Sequence, residues 1–532
     1  GGPFVPSNRR WNPAGKGLEQ RDGSQRFSSA LSAFPAPPIH VPKRPSSLPL
    51  ALPQRSSSAP ASHWLSSALR TEILEGRLRP GARLPATRDL ARQYGLSRGT
   101  IVTAFEQLKS EGYVEGSVGS GTYVNETLPD ELLQVSRKAT PSAPAQRAPR
   151  RRLSDFARRA EFFPGFPKGP ARPFRTAEPA LDLFPTTLWA QLAARRFRKA
   201  TATMLLQCDA TGYRPFREAV ADYLASSRGV RCTPDQVIIV SGLQESLDLA
   251  ARVFVNPGDR IGMETPGYIG TTYGLQAHGA KLIGIRVDDE GMEVPHARLG
   301  DLRLVYVTPG HQFPLGVNMS LPRRLALLEW ARATGALIIE DDYDSEYRYS
   351  GRPLPALQGL DRHGLVLFIG SFSKVMFPSL RLGYIVVPPD LVEHFAAVKS
   401  VTTRHAPVLE QAVLCDFISE GHFGRHVRRM REVYAERLSV LIEAARADLA
   451  GLIEISDVEA GLQTVGWLTG DVADRTAANA AAQRGIEVIP LSRYSHGRRM
   501  RQGLHLGFAA VDAREIRRGV RELAGVMKEL SK

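Results

Sequence analysis

The rhythm of hydrophobic and polar positions changes several times along the 532-residue chain. Residues 1–60 have no apolar period. The stretch "PAPPIHVPKRPSSLPLALPQRSSSAP" is dominated by Pro, Ser and Arg, so a disordered basic tail is expected. From His63 the pattern tightens. Leu65, Leu69 and Ile73 share one face of a helix predicted over about 63–75, and Arg79-Pro80-Gly81 ends it in a turn. Two short helices follow in "LPATRDLARQYGLSRGTIVTAFEQLKSEGYV". Thr87 is the expected cap of the first, Gly95 breaks it, and Ser97 caps the second, which buries Ile101, Phe105 and Leu108. With "YVEGSVGSGTYV" as a hairpin, residues 61–125 read as a winged helix-turn-helix. Residues 126–178, carrying "PSAPAQRAPRRR" and "FFPGFPKGPARPF", read as a basic Pro-rich linker held extended by its prolines. Over 179–530 short β-branched runs alternate with helical patterns, as in an α/β fold around a mainly parallel sheet.

The first unit carries chemistry at one helix start. A helix that enters the major groove needs short polar and cationic groups at its N-terminal turn, and Ser97, Arg98 and Thr100 stand there. Arg88 opens the preceding helix and Arg83 lies in the turn before it, both placed to reach phosphates, while Gly121 belongs to the wing. Double-stranded DNA is the expected partner. A protein-docking bundle of the same size is the alternative.

In the second unit, Lys374 follows an apolar strand in "VLFIGSFSKVMFPSLRLGYIVVPP", where an ordinary lysine would prefer water. Upstream, "ALIIEDDYDSEY" is another apolar strand ending in acids. If Asp341 and Tyr343 continue that strand, their spacing puts both on one face. A third strand, "QVIIVSG", runs through Ser241, Gly242 and Leu243 into a helix whose first amides suit an anion, and Ser371 and Arg381 bracket Lys374. An amine for Schiff-base chemistry, a carboxylate, a phenol and a phosphate cup are the requirements of a pyridoxal 5'-phosphate site. A magnesium site made from Asp341, Asp342 and Asp344 competes, but leaves Lys374 unexplained.

Charge changes the picture only through its distribution. The net charge is +15, and residues 1–60 hold eight Lys/Arg against two Asp/Glu while residues 137–175 hold eleven against two, so the rest is near neutral. Basic segments flanking a folded unit fit a polyanionic partner. Three cysteines, Cys208, Cys232 and Cys415, without CxxC or a His/Cys pairing at metal spacing, indicate neither a disulfide framework nor a metal site, and a reducing cytoplasm is expected. The most apolar stretch, Phe368 to Val387, is broken by Lys374 and Arg381, so no membrane span is expected.

Residues 63–124 resemble the winged helix of the GntR superfamily, through "GRLRPGARLPATRDLARQYGLSRGTIVTAFEQLKSEGYV" followed by "GSGTYV", except that Ser117 and Val118 stand where many relatives start the wing with a cation. The large unit resembles fold-type I aminotransferases through "LDLFPTTLW", "GYRPFREAVADYLASSRGV", "IIEDDYDSEYRY" and "GSFSKVMFPSLRLGY". Together they resemble the MocR/GabR family of bacterial regulators, which joins the two by a long linker. That resemblance implies that Lys374 bonds to the cofactor aldehyde, Asp341 pairs with its ring nitrogen, Tyr343 meets its 3′-oxygen and Tyr268 stacks on the ring. Where the enzymes have an Asn-rich loop this chain has "TPGHQFPLG", which moves His311 and Gln312 into the cofactor surround. His505 stands where many enzymes place a carboxylate-gripping arginine, and Arg493 is the candidate replacement for effector binding.

The resemblance implies a homodimeric, ligand-controlled transcription factor that senses an amino compound or pyridoxal phosphate and repositions its winged helices on promoter DNA. Two rivals remain at this stage: a working aminotransferase with an accessory DNA-binding domain, and a constitutive DNA binder whose large domain only dimerises.

Overall fold

The computed structural model describes residues 52–53, 60–117, 121–128, 151–163, 169–206, 208–296, 299, 301–351, 355–456, 458–495 and 500–531. The tail expected over 1–60 and Val118 at the wing tip therefore lie almost wholly outside the described residues. The chain divides into two compact units, Gly1–Pro149 and Arg150–Lys532.

In the first unit, α1 (Ala61–Leu74), α2 (Thr87–Tyr94) and α3 (Arg98–Ser110) precede a hairpin of β1 (Val114–Ser117) and β2 (Gly121–Val124). Leu65, Leu69 and Ile73 of α1 meet Ile101, Phe105 and Leu108 of α3 in one apolar core, the faces that the sequence periodicity picks out. Gly95 ends α2 in a left-handed conformation, φ 64°. Ser97 caps α3, its Oγ accepting from the Thr100 amide at 3.1 Å. Thr87 does not cap α2. The extended residue before the helix is Ala86, which has no side chain to cap with, and Thr87 is already the first helical residue.

The second unit is built on an eight-stranded sheet of β3 (Val237–Val240), β4 (Arg260–Thr265), β5 (Lys281–Asp288), β6 (Gly291–Met292), β7 (Leu304–Val307), β8 (Leu337–Asp342), β9 (Val366–Ser371) and β10 (Gly383–Val386). Their order is β3-β10-β9-β8-β7-β4-β5-β6. The run β9-β8-β7-β4-β5 is parallel, and β10 inserts antiparallel between β3 and β9. Of the parallel strands, β7 is buried along its length and β8 and β9 everywhere but at their ends, as expected of a parallel sheet shielded on both faces. A smaller antiparallel sheet, β11 (Ile453–Ile455), β12 (Gln463–Leu468), β13 (Ile489–Pro490) and β14 (Gly503–Gly507), follows in the order β11-β12-β14-β13.

The stretch read as an extended linker, 126–178, departs from that reading in two described places. Asp155–Arg159 is helical, capped by Ser154, because the prolines that would prevent it come later. Phe156 stands edge-on to His278 at 5.1 Å, and Arg159 donates to the Ala277 carbonyl at 3.2 Å. Further on, Phe174 is buried, its carbonyl accepts from the Gly507 amide at 3.0 Å, and Arg175 forms ion pairs with Glu487 and Glu178. Aromatic and guanidinium anchors thus fasten the end of this segment to the second unit.

Candidate cofactor site and nucleic-acid interface

Strand alternation sorts the acids at the end of β8. Asp341 is buried and accepts from the Tyr306 phenol of β7 at 2.5 Å, whereas Asp342 turns to the other face and pairs with Arg228 at 2.6 Å. The carboxylates proposed for magnesium therefore do not converge, and no cluster of metal-ligating side chains exists among the described residues. Burial pushes the Asp341 carboxyl up to about 7, against the pull of the Tyr306 hydrogen bond. Tyr343 lies just past the strand, its hydroxyl 3.0 Å from His311 Nδ1, and that nitrogen also pairs with Asp344 at 2.9 Å.

Lys374 occupies the turn after β9. Its Nζ donates to the Ala177 carbonyl at 3.3 Å. Burial lowers its ammonium to about 8, with Asp344 and Asp341 opposing the shift, so the amine and the Asp341 carboxylate sense each other across the site. Arg381 follows in a left-handed conformation, φ 51°, that L-residues hold only when the surroundings impose it. Its guanidinium lies against Gly242, where an added Cβ would stand 3.6 Å from Nη1.

Gly242, at φ 118°, opens the helix Leu243–Phe254, whose first amides have no acceptor within the helix. Ser241 differs from expectation. Its amide and its hydroxyl both donate to Glu245 Oε2 at 2.6 Å, and Glu245 is held by the fully buried Lys399. Ser241 thus shapes the turn from behind, leaving Gly242, Leu243, Arg381 and Ser371 as the cup. The Ser371 Oγ accepts from the Ser373 amide at 3.2 Å, so its own proton remains to be donated.

Gln312 is likewise a brace. Its Nε2 reaches Glu264 Oε2 at 3.2 Å and the Pro266 and Phe313 carbonyls at 2.9 and 2.7 Å, and its Oε1 accepts from Leu315. It thereby ties the loop "TPGY" to β4, and Tyr268 in that loop meets Phe313 edge-on at 5.3 Å. His505 is fully buried beside Tyr494, whereas Arg493 is exposed on the turn Leu491–Tyr494.

On the first unit, Arg83, Arg88, Ser97 and Arg98 are exposed, and Thr100 lies beside Ser97 with the hydroxyls 2.8 Å apart. Val102 and Thr103 share the exposed face of α3. Gly121 has a structural reason: at φ 103°, a Cβ there would come within 2.7 Å of Arg83 Nε. The wing is thus moulded around Arg83, whose guanidinium also lies over Tyr123.

Comparison with known proteins joins the two halves. Residues 65–124 match the model for bacterial regulatory proteins of the gntR family, and residues 179–523 match aminotransferase class I and II. The chain is 41% identical over 475 residues to the probable rhizopine catabolism regulatory protein MocR of Rhizobium meliloti, covering 88% of this chain and 94% of that protein. The chain belongs to the MocR family. A second MocR-like relative, the pyridoxine biosynthesis regulator PdxR of Corynebacterium glutamicum, is 33% identical over 88% of this chain and 96% of its own length. The kynurenine aminotransferase of Pyrococcus horikoshii, crystallised with PMP, matches with a TM-score of 0.63 and 28% identity over 68% of this chain and 91% of that one. A MocR-family regulator is thus a GntR-type reader joined to an aminotransferase fold.

The donor set of this member fits a pyridoxal phosphate. Asp341 is a buried carboxylate with a phenol as its hydrogen-bond partner and no ion-pair partner among the described residues, a state that a protonated ring nitrogen would relieve. A lysine with a depressed ammonium and a guanidinium over a helix-opening glycine complete the set.

The sequence missed the supports: Tyr306, Glu264, Gln463 and Lys399. A buried tyrosine in "LVYV" was the available signal for Tyr306, since its hydroxyl needs a partner. Gln463 of β12 reaches the Tyr343 phenol, which no local pattern announces.

Proposed function

We propose that this regulator binds promoter DNA through the start of α3 and the wing, and reads an amino compound at a pyridoxal 5'-phosphate held by Lys374, Asp341, Tyr343, Tyr268 and the Gly242–Arg381 cup. It acts in the cytoplasm as a homodimer whose two readers engage repeated half-sites. The carrying observation is a desolvated Lys374 amine and a buried Asp341 carboxylate, free of ion pairs among the described residues, at the ends of neighbouring strands, in one chain with a capped, cation-bearing recognition helix.

When bound, the cofactor supplies an aldehyde that condenses reversibly with primary amines and a ring that acts as an electron sink. Asp341 holds its negative charge against the ring nitrogen, and the Tyr306 hydrogen bond keeps that carboxylate oriented. Tyr343 offers its hydroxyl, because Asp344 already occupies the His311 nitrogen that it faces. Arg381, Ser371 and the Gly242–Leu243 amides bind phosphate. Ser97, Arg98 and Thr100 engage base edges and phosphates, with Arg83 and Arg88 on the backbone.

The regulatory step starts at Lys374, whose nitrogen is hydrogen-bonded to Ala177 in the segment that leads from the reader. An amine competing at this position changes that contact. Its effect on DNA affinity equals its differential affinity for the two arrangements, ordinarily about 1–3 kcal/mol. The test is reduction of the loaded protein with borohydride followed by peptide mass spectrometry, run beside a gel shift on the DNA upstream of its own gene. A pyridoxyl group on Lys374 and an amine-dependent gel shift support the reading. An unmodified Lys374 after loading with excess pyridoxal phosphate overturns it, and steady turnover with a keto acid favours the aminotransferase instead.

A further inference from the structure

His505 lies in the middle of β14, fully buried, between Val465 of β12 and Ile489 of β13. Its Nδ1 is 3.1 Å from the Tyr494 hydroxyl, and its Nε2 has no hydrogen-bond partner. The Phe313 ring connects it to the site, standing edge-on to His505 at 5.2 Å, to Tyr268 at 5.3 Å and to Tyr343 at 6.0 Å. The imidazole therefore belongs to the same aromatic shell as the two tyrosines assigned to the cofactor.

A buried polar atom without a partner destabilises the fold unless something else satisfies it. The phenol of Tyr494 is the stronger donor, so it donates to Nδ1 and leaves the proton on Nε2 as an uncharged N–H donor without a partner. Burial, reinforced by the charges of Lys374 and His311, keeps the ring neutral, holding it down to about 3. A carboxylate brought against this wall would lose its water and gain no cation. Among the described residues, no hydrogen bond or ring contact brings an arginine to His505 or Phe313. Arg381 lies against Gly242, Arg175 is paired with Glu487 and Glu178, and Arg493 is exposed.

We propose that the effector is a primary amine whose second polar group is an uncharged acceptor, a hydroxyl or a carbonyl, held by His505 Nε2, and that α-amino acids are disfavoured. This deepens the function proposed above and rests on it.

The test is an absorbance titration of full-length protein loaded with pyridoxal phosphate, using matched pairs: L-alaninol against L-alanine, and 2-amino-1,3-propanediol against L-serine. The expected result is a band shift at a concentration at least tenfold lower for the amino alcohol of each pair. His505→Arg should reverse the order, and Tyr494→Phe, which frees the imidazole tautomer, should narrow the gap. Acids acting at equal or lower concentration than the alcohols overturn the proposal, all the more if Arg493→Ala then abolishes the acid response. A loaded protein whose band responds to neither series overturns it as well. Absence of the band before any amine is added is a different failure, that of the cofactor reading itself.

Discussion

The reader and the aminotransferase-like unit solve the placement of functional groups in opposite ways. In the reader, the functional side chains are exposed and near one another in sequence. Ser97 caps its own helix and touches Thr100 three residues on, while Arg98 needs no partner to be presented. In the large unit the groups proposed for the cofactor are mostly buried or half-buried, and several are supported from afar: Asp341 by Tyr306, the "TPGY" loop by Gln312, and Lys374 by Ala177 nearly two hundred residues away. Exposed groups can be exchanged with small structural cost. Buried ones act as a set.

Perturbations should expose that contrast. Lys374→Ala is expected to abolish the cofactor's absorbance band completely while leaving affinity for non-cognate DNA unchanged, as measured by gel shift. Asp341→Asn should follow, weakening retention of pyridoxal phosphate roughly 100-fold in equilibrium dialysis, because it removes one partner of a buried charge pair. Uptake of the cofactor by apo-protein should accelerate about tenfold between pH 7 and pH 9, with a midpoint near 8. The reactive form of Lys374 is the neutral amine, and burial brings its ammonium down to about 8. A stopped-flow rate still climbing steeply at pH 10 would mean that the lysine is not desolvated.

Smaller effects are expected on the exposed side. Arg98→Ala should lower operator affinity about tenfold and reduce the salt dependence by about one counterion, leaving the absorbance band untouched. Ser97→Ala should cost the first unit about 1 kcal/mol, read from its calorimetric transition in the full chain. A Ser97→Ala loss that also weakened cofactor retention would erase the distinction between the two units.

How far each unit could be read from sequence follows from the same contrast. Caps, core faces and the cationic turn of the reader depend on spacings of three to four residues, so periodicity and capping chemistry expose them. Thr87 was misplaced by one position, since a threonine beside an extended alanine looks the same in sequence whether it precedes the helix or starts it. In the large unit the strand ends carrying Asp341, Tyr343 and Lys374 were legible as polar residues closing apolar runs. The direction of each polar atom was not. Gln312 was chosen for the ligand but serves Glu264 and Pro266, because partners 48 and 46 residues away leave no periodic trace, and Ser241 serves Glu245, four residues on, by turning to the side of the loop away from the cup. The segment before Ala177 read as linker for a related reason. Its prolines are local signals, whereas Phe156, Phe174 and Arg175 find their partners far along the chain.

Ala177 itself has a further meaning. It is a non-glycine residue at φ 65°, a geometry that an L-residue leaves when unrestrained, and its carbonyl is drawn to the Lys374 ammonium. Arg175, two residues earlier, is pinned by Glu487. The peptide between these points thus carries two restraints, an ion pair at one end and the lysine nitrogen at the other. Whatever engages that nitrogen removes one of them, so Ala177 is where a change at the lysine first reaches the backbone.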